Sequence, residues 1–187
     1  MNLTQNESLF YQAIATISLM EQLNGEAFFK SQYYRELKFP ENDEMIKYIL
    51  INSGIGNPVT LQMFFYVLLV VPRELFQRTG SEYDEQTRQE FNEMFFKLAS
   101  DVQCTYASES EDLSKVDYYK HVRNAISHSK CSYKIDNGIC YVTFEDKNVR
   151  DTNQHCELTI KTGDVGKLLG MLKRRMMEFL NSNSQEK

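Results

Sequence analysis

The sequence predicts a mainly α-helical protein, an antiparallel helical bundle with a small β-hairpin or three-stranded sheet before the C-terminal helix. Three observations carry that expectation. Apolar residues recur at three- and four-residue steps through the first 128 positions. After His128 the pattern changes to alternation around an Asn137-Gly138 turn. Helical spacing returns at Asp164.

Taken in order, Leu9, Phe10, Ala13, Ile14, Ile17, Met20 and Leu23 mark the apolar stripe of a first helix, and Phe28, Phe29, Tyr33 and Leu37 extend it past Gly25. Pro40 ends it. Asp43 to Ile51 predicts a shorter helix, closed by the turn Ser53-Gly54-Ile55-Gly56. Asn57-Pro58 then supplies an N-cap and a proline at the first helical position. That helix is expected to run to about Arg78, bent or interrupted at Pro72. Phe91, Met94, Phe95, Leu98 and Val102 mark the next one.

The acidic stretch from Thr105 to Asp112 is expected to be a loop. Ser114-Lys115-Val116-Asp117 matches a capping box that would start the following helix. In the hairpin, a two-residue Asn137-Gly138 loop pairs Ile135 with Cys140, Tyr133 with Val142 and Cys131 with Phe144. Cys131 and Cys140 are then not opposite each other, which disfavours a disulfide between them. Cys156, Leu158 and Ile160 alternate as a third strand, and Val165, Leu168, Leu169, Leu172, Met176 and Phe179 mark the final helix. The expectation is one domain over residues 1–187: a bundle over 1–129, a β insert over 131–161 and a helix over 164–180.

Composition narrows the function classes. Of the 187 residues 42% are apolar and 25% charged, as in ordinary globular proteins. A net charge of −5 argues against a broad non-specific nucleic-acid surface, though not against a local basic site. The start of the chain lacks a signal-peptide pattern, and the apolar run from Val59 to Val71 is too short to span a bilayer. A cytoplasmic protein with reduced cysteines and no membrane contact is expected.

The stretch from Asp117 to His128 carries the chemistry. At helical period, Arg123, Ser127, Lys120, Asn124, His128 and His121 share an arc of roughly 160°, and Tyr118, Val122, Ala125, Ile126 and Tyr119 fill the opposite one. An apolar side would pack into the core while an imidazole, a guanidinium and a carboxamide face outward. On spacing alone such a polar face is more often merely solvated than catalytic.

The run Val122-Arg123-Asn124-Ala125-Ile126-Ser127-His128 resembles the Rx4–6H signature of the HEPN superfamily (higher eukaryotes and prokaryotes nucleotide-binding domains). The asparagine after the arginine, the preceding helices and the hairpin after the histidine add to the resemblance. It implies an all-helical HEPN-like bundle with the motif near the end of a late helix. It also implies a metal-independent endoribonuclease, plausible as a toxin or antiphage effector with a possible antitoxin or regulatory partner. In such relatives two protomers face each other across their motif helices, so a homodimer acting on RNA is expected. One departure stands out. Toxins regulated by adenylylation carry a tyrosine two residues after the histidine, where this chain has Lys130.

The expected roles follow from the side chains. His128 serves as base or acid near neutrality. Arg123 offers fixed donors to phosphate oxygens. Asn124, one turn before His128, orients the imidazole or binds substrate. Lys120, Ser127, Lys130 and His121 are candidate substrate contacts, with His121 more simply an exposed histidine. Replacing Arg123 or His128 is expected to leave the fold largely intact. No metal or cofactor is expected. A zinc site from His128, Cys131, Cys140 and His155-Cys156 is weighed, but Cys131 and Cys140 fit the apolar face of the hairpin better. Lys173-Arg174-Arg175 fits a solvated helix face, and aromatics at helical spacing fit core packing; Tyr33 and Tyr34 could stack on bases, but nothing singles them out. The alternative to an enzyme is a non-catalytic HEPN module that binds nucleotide, RNA or a protein through the same groove.

Overall fold

The computed structural model describes residues 4–185 apart from 26, 41–42, 55, 77–80, 107–108, 110–111 and 152. The chain divides into two compact units, residues 1–64 and 65–187. In the first, α1 (Gln5–Gly25) buries Phe10, Ile14 and Ile17 at the predicted spacing. The predicted continuation past Gly25 becomes a 3-10 turn (Phe28–Lys30) and the short α2 (Gln32–Glu36), capped by the Ser31 hydroxyl accepting from the Tyr34 N–H at 3.1 Å. Tyr34 is buried, with the rings of Phe28 and Phe29 at 5.6 and 5.1 Å. Next comes α3 (Asp43–Ser53). At the start of α4 (Pro58–Phe65) the Asn57 carboxamide oxygen accepts from the Thr60 N–H at 3.1 Å, the expected cap.

In the second unit a π-helical turn (Tyr66–Val70) leads into α5 (Val71–Phe76). The wide turn sits directly before Pro72, where the ring cannot donate into a regular ladder. The expected end at Arg78 lies outside the described residues. Helix α6 (Ser81–Leu98) buries Phe91 and Phe95. It stops four residues before the expected Val102, which instead lies in β1 (Ala99–Cys104). Val102 and Leu98 satisfy a helical step, but Asp101, Val102, Gln103 and Cys104 also alternate, and pairing with a later strand settles the choice.

Helix α7 (Tyr118–Ser127) follows. Asp117 is its N-cap, whereas Ser114 lies in a separate 3-10 turn (Leu113–Lys115) capped by Asp112. The capping box therefore marked the right neighbourhood with the wrong residue as cap. Strands β2 (Cys131–Asp136), β3 (Ile139–Lys147) and β4 (His155–Lys161) precede α8 (Thr162–Gln185). The hairpin has the predicted register, Cys131 with Phe144, Tyr133 with Val142 and Ile135 with Cys140. Asn137 and Gly138 both adopt positive φ, as a two-residue turn of this hand needs. The sheet has four antiparallel strands in the order β1-β4-β3-β2, one more than expected because β1 joins from before α7.

One face of this sheet and the helices enclose the core of the second unit. Phe144 on β3 is 1% exposed and meets Phe65 and Phe95 edge-on at 5.7 and 6.2 Å. Phe95 stacks on Tyr118 of α7 at 5.0 Å. Val165, Leu168, Leu169, Leu172 and Met176 of α8 are all buried, as their spacing predicts. Since Phe144 touches both helical and strand layers, Phe144→Ala should destabilise the protein by about 3–5 kcal/mol in urea unfolding. A loss below about 1 kcal/mol would contradict this packing.

Candidate functional site

Helix α7 begins on Asp117. The carboxylate accepts from the Lys120 N–H at 3.2 Å and receives the Arg88 guanidinium in a fork, Nε on Oδ1 at 3.1 Å and a terminal nitrogen on Oδ2 at 3.0 Å. Two-pronged charge-assisted pairing of this kind fixes geometry as well as adding energy. It ties the start of α7 to α6. Burial raises the Asp117 pKa, but the Arg88 hydrogen bond and charge outweigh it and leave the carboxyl below its ordinary value.

The other end closes with a Schellman motif. His128 is the C-cap, Ser129 takes a left-handed φ of 53°, and the Ser129 and Lys130 N–H groups donate to Ile126 and Ala125 at 3.2 and 2.8 Å. The chain turns straight into β2 and leaves the His128 side chain exposed at the end of the helix.

Between these ends, the 160° polar arc narrows. Lys120, Asn124, Ser127 and His128 remain open or half-open, spanning about 100° at helical period. The residues at the two edges of the predicted arc, Arg123 and His121, are covered, with 9% and 1% exposure. The expected exposed histidine at position 121 is thus among the most buried polar side chains. The premise that Arg123 lies free on a polar face fails as well, because α6, the π turn, β3 and β4 pack around α7 and leave only a narrow stripe.

Arg123 lies with its guanidinium 5.7 Å from the centre of the Tyr119 ring and donates to the Asn124 carboxamide oxygen at 3.4 Å. Tyr119 is anchored in turn, its hydroxyl donating to Asp84 at 2.8 Å and its N–H to Asn92 at 2.7 Å. Burial, and next the positive charge of Arg73, lower the Arg123 pKa from the ordinary guanidinium value, while Tyr119, Asp84 and Asp117 oppose that. Two guanidinium groups within electrostatic reach make this end of the stripe a natural place for an anion.

Asn124 is the hub. Its amide nitrogen donates to Asp146 Oδ2 at 3.1 Å, its side-chain oxygen accepts from Arg123, and its carbonyl accepts from the His128 N–H at 3.1 Å. Asp146 Oδ2 also lies 2.7 Å from His121 Nδ1, and His121 Nε2 lies 2.8 Å from Glu109 Oε2. Each of these two contacts is a hydrogen bond with one proton between the ring nitrogen and the carboxylate oxygen. Burial would raise the Asp146 pKa, yet hydrogen bonds from His121 and Asn124 keep it below its ordinary value. Glu109 further accepts from the Asp117 N–H at 3.1 Å, and Lys120 Nζ approaches its other oxygen at 3.8 Å. Tyr106 lies against the His121 ring at 4.9 Å, with Lys120 over its face at 5.0 Å.

The fold therefore links Arg123 and Asn124 directly, gives His128 the exposed end of the same helix, and leaves Lys120, Ser127 and Lys130 along the stripe. The Ser127 hydroxyl donates to the Arg123 carbonyl at 2.8 Å. Sequence reasoning missed Arg73, Glu109 and Asp146. For Asp146 a signal existed: it follows Val142 and Phe144 at strand period and so shares their buried face.

A late helix carrying Arg-Asn with a histidine at its end, inside a mainly helical fold with a small antiparallel sheet, defines a HEPN-type domain. The family model for HEPN pEK499 p136 matches residues 1–186, and the chain belongs to that HEPN family. No curated protein and no solved structure matches it significantly. Among the described residues no single helix is long and apolar enough to cross a membrane.

Asp117 caps α7 and holds Arg88, so Asp117→Ala should cost about 1–3 kcal/mol of stability in chemical unfolding. Its folded pKa lies below the ordinary 3.8, so its stabilisation is fully present above that value and is lost as pH falls through the folded one. The acid limb of the stability profile should accordingly flatten in Asp117→Asn. An unchanged acid limb would rule out the linkage.

Proposed function

We propose that this HEPN protein is a metal-independent endoribonuclease that acts as a homodimer on single-stranded or loop RNA, in a toxin or antiphage role. The observation that carries it is the placement of Arg123, Asn124 and His128. The Asn124 carboxamide accepts from the guanidinium, and its backbone carbonyl accepts from the N–H of His128, whose side chain is exposed at the helix end. Cleavage needs a base for the 2′-hydroxyl, a cation for the charge developing on phosphorus and an acid for the leaving 5′-oxygen. His128 supplies proton transfer. Arg123, with Arg73 near it, supplies the cation. Lys120, Ser127 and Lys130 flank the track that a strand would follow. A two-fold contact along the stripe would bring a second His128 and Arg123 into the same groove, giving both an acid and a base. The products would be 2′,3′-cyclic phosphate or 3′-phosphate ends, and unpaired RNA is favoured because the 2′-hydroxyl must swing in line with the scissile bond.

A second reading, a HEPN module that binds nucleotide, RNA or a protein without cleaving, is favoured by one observation. Arg123 is 9% exposed and stacked on Tyr119, so it reaches a phosphate only if substrate or a partner protomer draws it out.

The test is cleavage of a broad RNA pool in excess EDTA, with toxicity on expression scored in parallel. Wild type should cleave, and His128→Ala should lower the rate about 10²–10⁴-fold. Arg123→Ala should lower it on the order of 10²-fold or more. Because Arg123 is buried, its variant must be compared at matched folded fraction by circular dichroism. Light scattering should give a dimer at micromolar concentration. Activity that survives His128→Ala would remove this histidine from the mechanism, and an inert, harmless wild type would favour the binding module.

A further inference from the structure

Beneath α7 lies a cluster that the RNA chemistry does not use. Cys104 and Cys156 are direct cross-strand partners in β1 and β4, so the strand register itself brings their side chains together. A ligand atom from each of Cys104, Cys156 and His121 lies within 4.8 Å of the other two. Glu109 Oε2 lies beside two of them, 2.8 Å from His121 Nε2 and 3.9 Å from Cys104 Sγ, outside the set whose ligand atoms all lie within 4.8 Å of one another. Tetrahedral zinc, with bonds of about 2.0–2.3 Å, requires its ligand atoms roughly 3.3–3.8 Å apart, so the cysteines and histidine would close by up to about 1.5 Å while His121 Nε2 and Glu109 Oε2 would part by about 0.5 Å.

We propose that Cys104, Cys156, His121 and Glu109 form a zinc site that fastens β1 and β4 to α7, with Asp146 orienting the histidine. The orientation is the strongest sign. His121 Nδ1 is held by Asp146 at 2.7 Å, leaving Nε2 toward Glu109. A carboxylate on one imidazole nitrogen with a metal on the other is how ligating histidines are usually fixed. Burial suits a closed structural site, since Cys156 and His121 are 0% and 1% exposed, and half-buried Cys104 leaves an approach from outside. Four ligands from a strand, a loop, a helix and a second strand would close the coordination sphere and leave no position for substrate. Zinc binding releases to solvent the two thiol protons and the one proton held between His121 Nε2 and Glu109 Oε2. This site differs from a zinc centre on the hairpin cysteines, because Cys131 and Cys140 lie on β2 and β3 away from the described cluster partners.

The test uses the full chain and zinc alone, read by metal content and thermal unfolding rather than by RNA cleavage, so it stands or falls apart from the nuclease proposal. Protein purified without chelator, or refolded with zinc and dialysed, should retain about one zinc per chain and melt on the order of 5–10 °C higher than the stripped protein. Cobalt in place of zinc should show sulfur-to-metal charge-transfer absorption. Cys104→Ser should abolish that band and Asp146→Asn should weaken zinc binding about 10–100-fold, while Cys140→Ser should leave both unchanged. If Cys104→Ser fails to fold, wild-type stoichiometry and the cobalt spectrum still decide. Absence of retained metal, equal binding by the Cys104 and Cys140 variants, or a Cys104–Cys156 disulfide in the protein as isolated would overturn the proposal.

Discussion

A buried imidazole held between two carboxylates fixes the second unit of this protein. His121 reaches from α7 to Asp146 on β3 through one nitrogen and to Glu109 in the preceding loop through the other. Buried charges are costly unless their hydrogen bonds are complete, and here each partner has further ones. Asp146 also takes Asn124, and Glu109 also takes the Asp117 N–H. An arrangement of this kind admits little sliding or rotation of the helix. It sets where α7 lies on the sheet, and through the shared Asp146 oxygen it sets where the Asn124 side chain points.

From that constraint the rest of the site follows. Asn124 presents its oxygen to Arg123, the Schellman turn puts His128 at the open end, and the Arg88–Asp117 fork stops the first turn from fraying. A helix buried on most of its circumference is stiff, and stiffness is what a proton-transfer group and a phosphate-binding cation require of their support. The same packing covers Arg123. Catalytic readiness and burial thus pull against each other at this residue, and a facing protomer or a bound strand would resolve the tension.

Much of this was legible in the residues, though unevenly. The hairpin register followed from Asn137-Gly138 because a two-residue turn leaves one pairing, and α8 followed from an uninterrupted apolar stripe. The start of α7 was only roughly visible, since the Ser114 box pointed three residues short of the true cap, Asp117. Strand β1 was not, because Leu98 and Val102 satisfy a helical step while its deciding partner, β4, lies some fifty residues downstream. The burial of His121 escaped for a related reason. A period-3.6 projection sorts residues into two arcs but cannot register that several elements surround the helix. Asp146 held the clue, an acid in line with Val142 and Phe144 that needed a buried partner. Glu109 gave none, as its neighbours in the acidic loop are chemically alike.

A double-mutant cycle shows whether the His121–Asp146 contact clamps the motif helix to the sheet. His121→Asn, Asp146→Asn and the double variant would be unfolded in urea alongside wild type, all stripped of metal. A clamp gives a coupling energy of about 1–3 kcal/mol between the two positions. Effects that add to within about 0.5 kcal/mol would mean that the two residues act independently, and the clamp would not exist.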